Sequence, residues 1–302
     1  MSVFSRLVAA TTRAGPVEKA ITGTKPGKAV ARRYVAGDTL DEAVAVARRL
    51  NDEGFQVSLD LLGEECRDRV TALAARDEYL EGLKIIADEG LDSNVSIKLT
   101  QLGLAIDEEV TRELLDGMAH SAAEAGTTIT IDMEDSRYTD ATVRLYEEAQ
   151  AGHGNLGLAL QACLHRTPAD LDRLMRLGGH IRLCKGAYVE GHDVALTSKR
   201  EVDRAFAAQL ATLMGNHLVR PAIATHDPDL VRLTRELAAQ RAAPFEFQML
   251  HGVAGTLQRE LIADGFPVRI YLPYGSQWYP YLTRRLAERP ANAWFFLRSL
   301  FD

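Results

Sequence analysis

Near the carboxyl end of the chain, Tyr281 stands three and four positions ahead of Arg284 and Arg285. Those offsets share one face of a helix, so a phenol ring and two guanidinium forks project together. Arginine grips a carboxylate through paired N–H donors and an aromatic ring covers apolar bulk, so the trio suits a small anion with an apolar body. Ahead of it the apolar run 268–272 breaks at Pro273 and Gly275 into the helical pattern. The same residues also suit a solvated helix surface, and the surrounding chain has to decide.

Short apolar or β-branched runs at 56–60, 95–98, 128–132, 156–160, 181–184, 222–225, 245–249 and 268–272 alternate with stretches of helical period. The helical stretches are 65–89, 108–125, 141–149, 169–177, 199–215, 228–239 and 254–264. Eight such units in succession predict a closed parallel (β/α)8 barrel of the TIM type. An open doubly wound sheet would favour a Gly-rich phosphate loop after its first strand, and Leu62-Gly63-Glu64-Glu65 matches that pattern poorly.

Nearly every run ends on a polar group: Asp60, Lys98, Asp132, Gln161, Lys185, His226, Gln248 and Tyr271. In a barrel these ends form one rim, the face on which active sites of this fold are built. Strand ends are wet and polar in any protein, but eight together weaken that simpler account. The histidines do not repeat at metal-ligand spacing, so no metal is expected. No G-x-S-x-G occurs, so a serine nucleophile is unsupported. Two chemistries remain. Lys98 or Lys185, desolvated in a barrel mouth, could form a Schiff base in an aldolase-like lyase. Alternatively a flat organic cofactor could lie across the mouth, its edges met by Gln161, Arg182, Lys185, Thr225 and His226, with Gly186 and Ala187 letting backbone approach closely.

Composition bounds the possibilities. Of the chain's 302 residues 46% are hydrophobic and 25% charged, which is ordinary for a soluble globular protein, and no apolar stretch approaches a membrane span. Cys66, Cys163 and Cys184 lack C-x-x-C spacing, so a reducing compartment and no disulfide framework are expected. Net charge is -7, but residues 1–35 hold seven Lys/Arg against Glu18 alone. That segment reads as a basic helical arm ahead of a barrel domain over 36–302. It suits anionic lipid heads, a transit segment or a solvated helix, and the acidic body argues against nucleic acid.

The motifs Ser96-Ile97-Lys98-Leu99, Ile131-Asp132-Met133-Glu134, Ile181 through Tyr188, Ala224-Thr225-His226, Phe245 through Gly252 and Tyr271 through Arg285 resemble those of the proline dehydrogenase family, in its monofunctional bacterial form. The resemblance runs from about residue 30 to the end. It implies a distorted (β/α)8 barrel with the last helix over the mouth, and FAD-dependent oxidation of L-proline to Δ1-pyrroline-5-carboxylate. Electrons would pass to a membrane quinone, in a cytoplasmic enzyme peripherally associated with the inner face of the membrane. By the same resemblance Arg284, Arg285 and Lys98 would meet the proline carboxylate, with Tyr281, Tyr188 and Leu250 as the substrate wall. Asp132 and Tyr271 would form a hydrogen-bonded pair, Asp132 and Arg182 would serve catalysis, and Arg182 would lie near the flavin N5. Met133, Gln161, Arg182, Lys185, Gly186, Ala187, Thr225 and His226 would hold FAD. Cys184 departs from the family pattern, where a β-branched apolar residue is frequent, and reads as a packing residue. The arm and Trp294-Phe295-Phe296-Leu297 suit docking on a membrane, although the aromatic cluster suits packing of the last helix slightly better.

Overall fold

The computed structural model describes residues 31–63 and 65–282. Thr39 opens the first helix, α1 (Leu40–Asp52): its hydroxyl accepts from the Glu42 N–H while Glu42 reaches back to the Thr39 N–H, a reciprocal cap. Strand and helix then alternate as β1 (Gln56–Leu61), α2 (Arg69–Glu89), β2 (Ser93–Ile97), α3 (Glu108–Glu124), β3 (Ile129–Ile131), α4 (Ser136–His153) and β4 (Leu156–Gln161). The second half follows as α5 (Thr167–Leu174) with a 3-10 turn (Met175–Leu177), β5 (His180–Cys184), α6 (Lys199–Gly215), β6 (Arg220–Ala224), α7 (Pro228–Ala238), β7 (Glu246–Leu250), α8 (Gly255–Ala263) and β8 (Val268–Tyr274). Each strand pairs in parallel with the next, and β8 returns to β1 with Gln56 opposite Arg269 and Asp60 opposite Pro273, closing the expected (β/α)8 barrel.

Two helix starts differ from expectation by four or five residues, both through caps. The helix expected over 65–89 begins at Arg69, because the Asp68 carboxylate takes the Thr71 N–H and fixes the start there. The helix expected over 141–149 begins at Ser136, because Asp135 caps the Arg137 N–H ahead of a polar first turn.

Hydrogen bonds between strands that are not neighbours cross the lumen. Arg182 on β5 donates to Ser96 on β2 at 2.9 Å, and Thr130 on β3 meets His180 on β5 at 2.6 Å. The strands therefore alternate strictly. Polar side chains such as Ser58, Asn94, Ser96, Thr130, Arg182, Glu246, Gln248 and Arg269 point inward, while Val57, Leu59, Val95, Ile97, Ile181, Leu183, Phe247, Ile270 and Leu272 pack outward into the main apolar core with the helices. A barrel of this class more often fills its lumen with Val, Ile and Leu. Here each outward side chain contributes about 1.5–3 kcal/mol on burial, against roughly 0.5–1.5 kcal/mol net for an inward hydrogen bond. The outer layer holds the barrel and the lumen is given over to a charged network. Room for it is made locally: a Cβ on Gly157 of β4 would sit 2.0 Å from the His180 ring.

Past β8 the chain turns at Gly275 and is helical over residues 278–282. Trp278, Tyr279, Tyr281 and Leu282 form a second apolar cluster with Ala31, Tyr34, Val35 and Leu62. Backbone bonds from Ala36 to Pro273 (2.8 Å) and from Gly275 to Gly37 (2.9 Å) tie the two segments together. Residues 1–30 of the expected arm, Arg284, Arg285 and the aromatic cluster 294–297 lie outside the described residues.

Candidate active site

The carboxyl ends of the strands open into a cavity of about 890 Å³, within the usual range for small-molecule and cofactor sites. Its floor is set by Asp60, Lys98, Asp132, Arg182 and Tyr271, delivered by five different strands or the turns directly after them. Leu250, Tyr188, Gln277, Pro280 and Tyr281 close its side and roof, so the start of the segment after β8 covers the mouth, as expected.

The floor is one connected ion network. Lys98 Nζ lies 2.6 Å from Asp60 Oδ1 and 3.4 Å from Asp132 Oδ2, and the Tyr271 hydroxyl donates to Asp132 Oδ2 at 2.7 Å. Arg182 donates from Nη1 to Asp132 Oδ1 and from Nε to Gln248 Oε1, and its guanidinium lies 5.3 Å from the centre of the Tyr271 ring. Burial works against the charge on Lys98, but the Asp60 and Asp132 carboxylates outweigh it and hold the ammonium firmly protonated. Burial likewise opposes ionisation of Asp132, yet Lys98 and Arg182 pull its pKa below the ordinary aspartate value. Asp60 moves the other way: burial raises its pKa, and the Asp132 charge adds to the rise against the pull of Lys98. Two cations thus meet two carboxylates. Lys98, expected as a third positive group for a substrate carboxylate, has its charge already shared.

The cofactor candidates form a second group along the cavity wall. Met133, Lys185, Gly186, Ala187, Thr225 and His226 all line it. Gln161 does not; it is buried beneath the turn, giving its amide N–H to the Glu134 carbonyl (2.9 Å) and accepting the Ala187 N–H (3.1 Å). The Gln161 oxygen therefore holds the Lys185–Tyr188 turn through Ala187, while its amide N–H ties that turn to the chain after β3. Gly186 sits at φ +122, and a Cβ there would lie 2.3 Å from Cys163 Sγ, so only glycine fits. His226 Nε2 accepts the Leu250 N–H at 3.0 Å, which puts the proton of the neutral ring on Nδ1. Lys185 bridges Asp203 (2.5 Å) and Asp227 (2.7 Å), and Lys199 shares Asp203.

Sequence reasoning passed over Lys199 on the cavity wall, although its position four residues ahead of Asp203 was visible. It placed Asp60 on the rim without giving it a role, and the role follows from Lys98. Glu246 was out of reach, because nothing in a strand sequence says which polar residue of the neighbouring strand pairs with Arg269. Among the described residues no group of His, Cys, Asp and Glu could hold a metal, and no helix is long and apolar enough to cross a membrane.

A closed (β/α)8 barrel whose charged lumen opens into a deep cavity at the strand ends defines a barrel enzyme acting on a small molecule. A sequence model of a family described as proline dehydrogenase matches residues 43–298. The chain is 39% identical over 283 residues to "Proline dehydrogenase 1" of Bacillus subtilis subsp. natto, covering 92% of each. It is 33% identical over 281 residues to "Proline dehydrogenase" of Deinococcus radiodurans, covering 90% of each. Among solved structures it resembles proline utilization A from Bdellovibrio bacteriovorus, described as inactivated by N-propargylglycine, with a TM-score of 0.81 at 23% identity. That match covers 87% of this chain and 33% of the other, so the likeness is to about a third of a longer protein. The chain belongs to the proline dehydrogenase family, and its chemistry is proline oxidation.

Proposed function

We propose that this enzyme oxidises L-proline to Δ1-pyrroline-5-carboxylate with FAD held across the barrel mouth, and that electrons pass on to a membrane quinone. The observation that carries the reading is the cluster of Asp132, Lys98, Arg182 and Tyr271 on the floor of the cavity, with Tyr281 over it. The donor set fits a flavin dinucleotide. Arg182 lines the cavity, and its buried Nη2 has no hydrogen-bond partner among the described residues, a donor suited to an acceptor on a bound group. Gly186 lets the turn pass tightly over Cys163, which keeps Lys185 and Ala187 on the cavity wall. Lys185, Lys199, Thr225 and His226 supply cations and polar groups for the remainder.

When bound, FAD supplies the two-electron acceptor for the hydride lost from proline C5. The chain's own residues bind and orient. Arg284 and Arg285 take the carboxylate by the resemblance noted above, while Tyr281, Tyr188 and Leu250 enclose the ring and exclude water. Asp132, held ionised by Lys98 and Arg182, is a weak base, so it orients Tyr271 and Arg182 and the amine proton leaves to water. On this account kcat/KM rises with pH through the neutral-to-alkaline range.

A Schiff-base lyase is the rival, and Lys98 argues against it: an ammonium held protonated between two carboxylates is a poor nucleophile. The visible spectrum separates the two. The purified protein should be yellow, bleach when L-proline is added under argon, and regain colour with a soluble quinone. A colourless protein that FAD does not reconstitute, or one trapped by borohydride with a carbonyl substrate, would defeat the reading.

A further inference from the structure

Below Arg182 the lumen network continues downward along β7. Arg182 Nε donates to Gln248 Oε1, and Gln248 Nε2 donates to Glu246 Oε1 at 2.6 Å. Glu246 is anchored in turn by Arg269 Nε at 2.7 Å and by Arg220 at 2.6 Å, and Arg269 Nη1 donates to the Val57 carbonyl at 2.8 Å. Glu246, Gln248, Arg182 and Arg269 are all buried. Residues 246 and 248 share the inward face of one strand, so the two side chains stack along the barrel axis.

A glutamine amide has two ends, and only one suits Arg182. Guanidinium N–H groups are donors only, so Gln248 must offer its oxygen upward. A carboxylate below can only accept, so Glu246 requires the amide nitrogen to point downward. Both demands select one orientation of the same amide.

We propose that Glu246 is a positioning residue: by fixing the Gln248 amide it holds Arg182 with Nε committed below, Nη1 on Asp132 and Nη2 left over for the bound group. The proposal rests on the reading of Arg182 given above, and nothing in it requires Glu246 or Gln248 to touch substrate. Four variants test it, each assayed for L-proline oxidation as loaded enzyme and for thermal unfolding. Gln248→Met removes the acceptor but leaves Glu246 with both arginines. The expected result is a kcat lower by about ten- to a hundredfold, as for a misplaced catalytic group, with KM for proline changed by less than about twofold and a single cooperative unfolding transition retained. Glu246→Gln lets the amide flip and lowers kcat in the same way. The exchange Glu246→Gln with Gln248→Glu sets a carboxylate under Arg182 and an amide below it at constant charge, and recovers most of the lost kcat. If Glu246 served only to pair Arg269 and Arg220, the exchange would recover nothing, because it moves the carboxylate away from them. Full kcat in Gln248→Met, or no recovery in the exchange, overturns the proposal; should either Glu246 variant fail to fold, Gln248→Met decides alone. Arg182→Met separates the two levels. If it keeps full activity, the reading of Arg182 is wrong and the relay falls with it. If it is impaired while Gln248→Met is not, only the relay is wrong.

Discussion

Tyr271 on β8 and Asp132 after β3, from strands that do not pair, are bonded across the lumen, hydroxyl to carboxylate at 2.7 Å. Burial, reinforced by the Asp132 and Asp60 charges, raises the phenol pKa well above its ordinary value, so the hydroxyl stays a donor at any working pH. Tyr271→Phe removes that donor and leaves Asp132 Oδ2, among the described residues, with Lys98 at 3.4 Å. The expected loss is about 1.5–3 kcal/mol, as for a hydrogen bond to a charged group, read as a drop of about tenfold or more in kcat/KM for proline. Wild-type kinetics in this variant would remove the pair from the site.

Lys98 separates two buried carboxylates, so its removal should be expensive and pH-dependent. Lys98→Met leaves Asp60 and Asp132 facing each other with Arg182 as their nearest remaining cation. Breaking a buried ion pair from one side costs roughly 3–5 kcal/mol. Asp60 already has a raised pKa in the folded state, from burial first and from Asp132 second. A raised carboxyl pKa favours the folded state while the group is protonated, and that contribution disappears as pH rises through the folded value. The variant should therefore lose most stability at alkaline pH and recover part of it toward pH 5. Denaturant melts across that range check this, and a pH-independent deficit would contradict it.

At the lower end of the lumen the sign reverses. Burial opposes the charge on Glu246, but Arg269 and Arg220 prevail and bring its pKa from 4.5 down to about 2. A depressed carboxyl pKa contributes stability above the unfolded value and loses it as pH falls through the folded one. The shift corresponds to about 3 kcal/mol. The gap between wild type and Glu246→Gln should be full near neutrality and close progressively below pH 4.5. Equilibrium unfolding at several acid pH values measures it; a gap that stays constant would mean that Glu246 is not ionised in the fold.

Gly186 is the backbone position on which cofactor loading should depend most. With φ at +122 and Cys163 Sγ 2.3 Å from a would-be Cβ, Gly186→Ala must move the turn that carries Lys185 and Ala187. We expect FAD affinity to fall at least about tenfold, by titration of apoprotein followed in flavin absorbance, with the barrel still folded by circular dichroism. Adding Cys163→Ala relieves the contact but not the dihedral, so it should restore only part of the affinity. Undiminished binding in Gly186→Ala would place the cofactor elsewhere.

The eight strands were legible because each carries an apolar run that the helices must cover, and every expected strand overlaps an observed one. Helix starts were less so. Asp68 and Asp135 decide them through side-chain caps, and α1 went unread although Thr39 and Glu42 carry the capping-box spacing. In the site, rim residues such as Lys98, Asp132 and Tyr271 could be found because strand ends converge in this fold. The pairing of Arg182 with Gln248, and of Gln248 with Glu246, could not. Both are set by the register of β5, β6 and β7, in which the small Ala222 lies between Arg182 and Glu246, and register is a property of the closed sheet and not of any one segment.

The inward-facing network also gives the barrel an internal reporter. Arg182 and Arg269 each commit Nε–H to one acceptor inside the lumen, away from bulk water. Those two protons should exchange slowly enough to be followed individually by nuclear magnetic resonance, where solvent-facing guanidinium signals are lost. Events at the mouth would then be audible at two fixed depths of the same protein, without a label and without an assay.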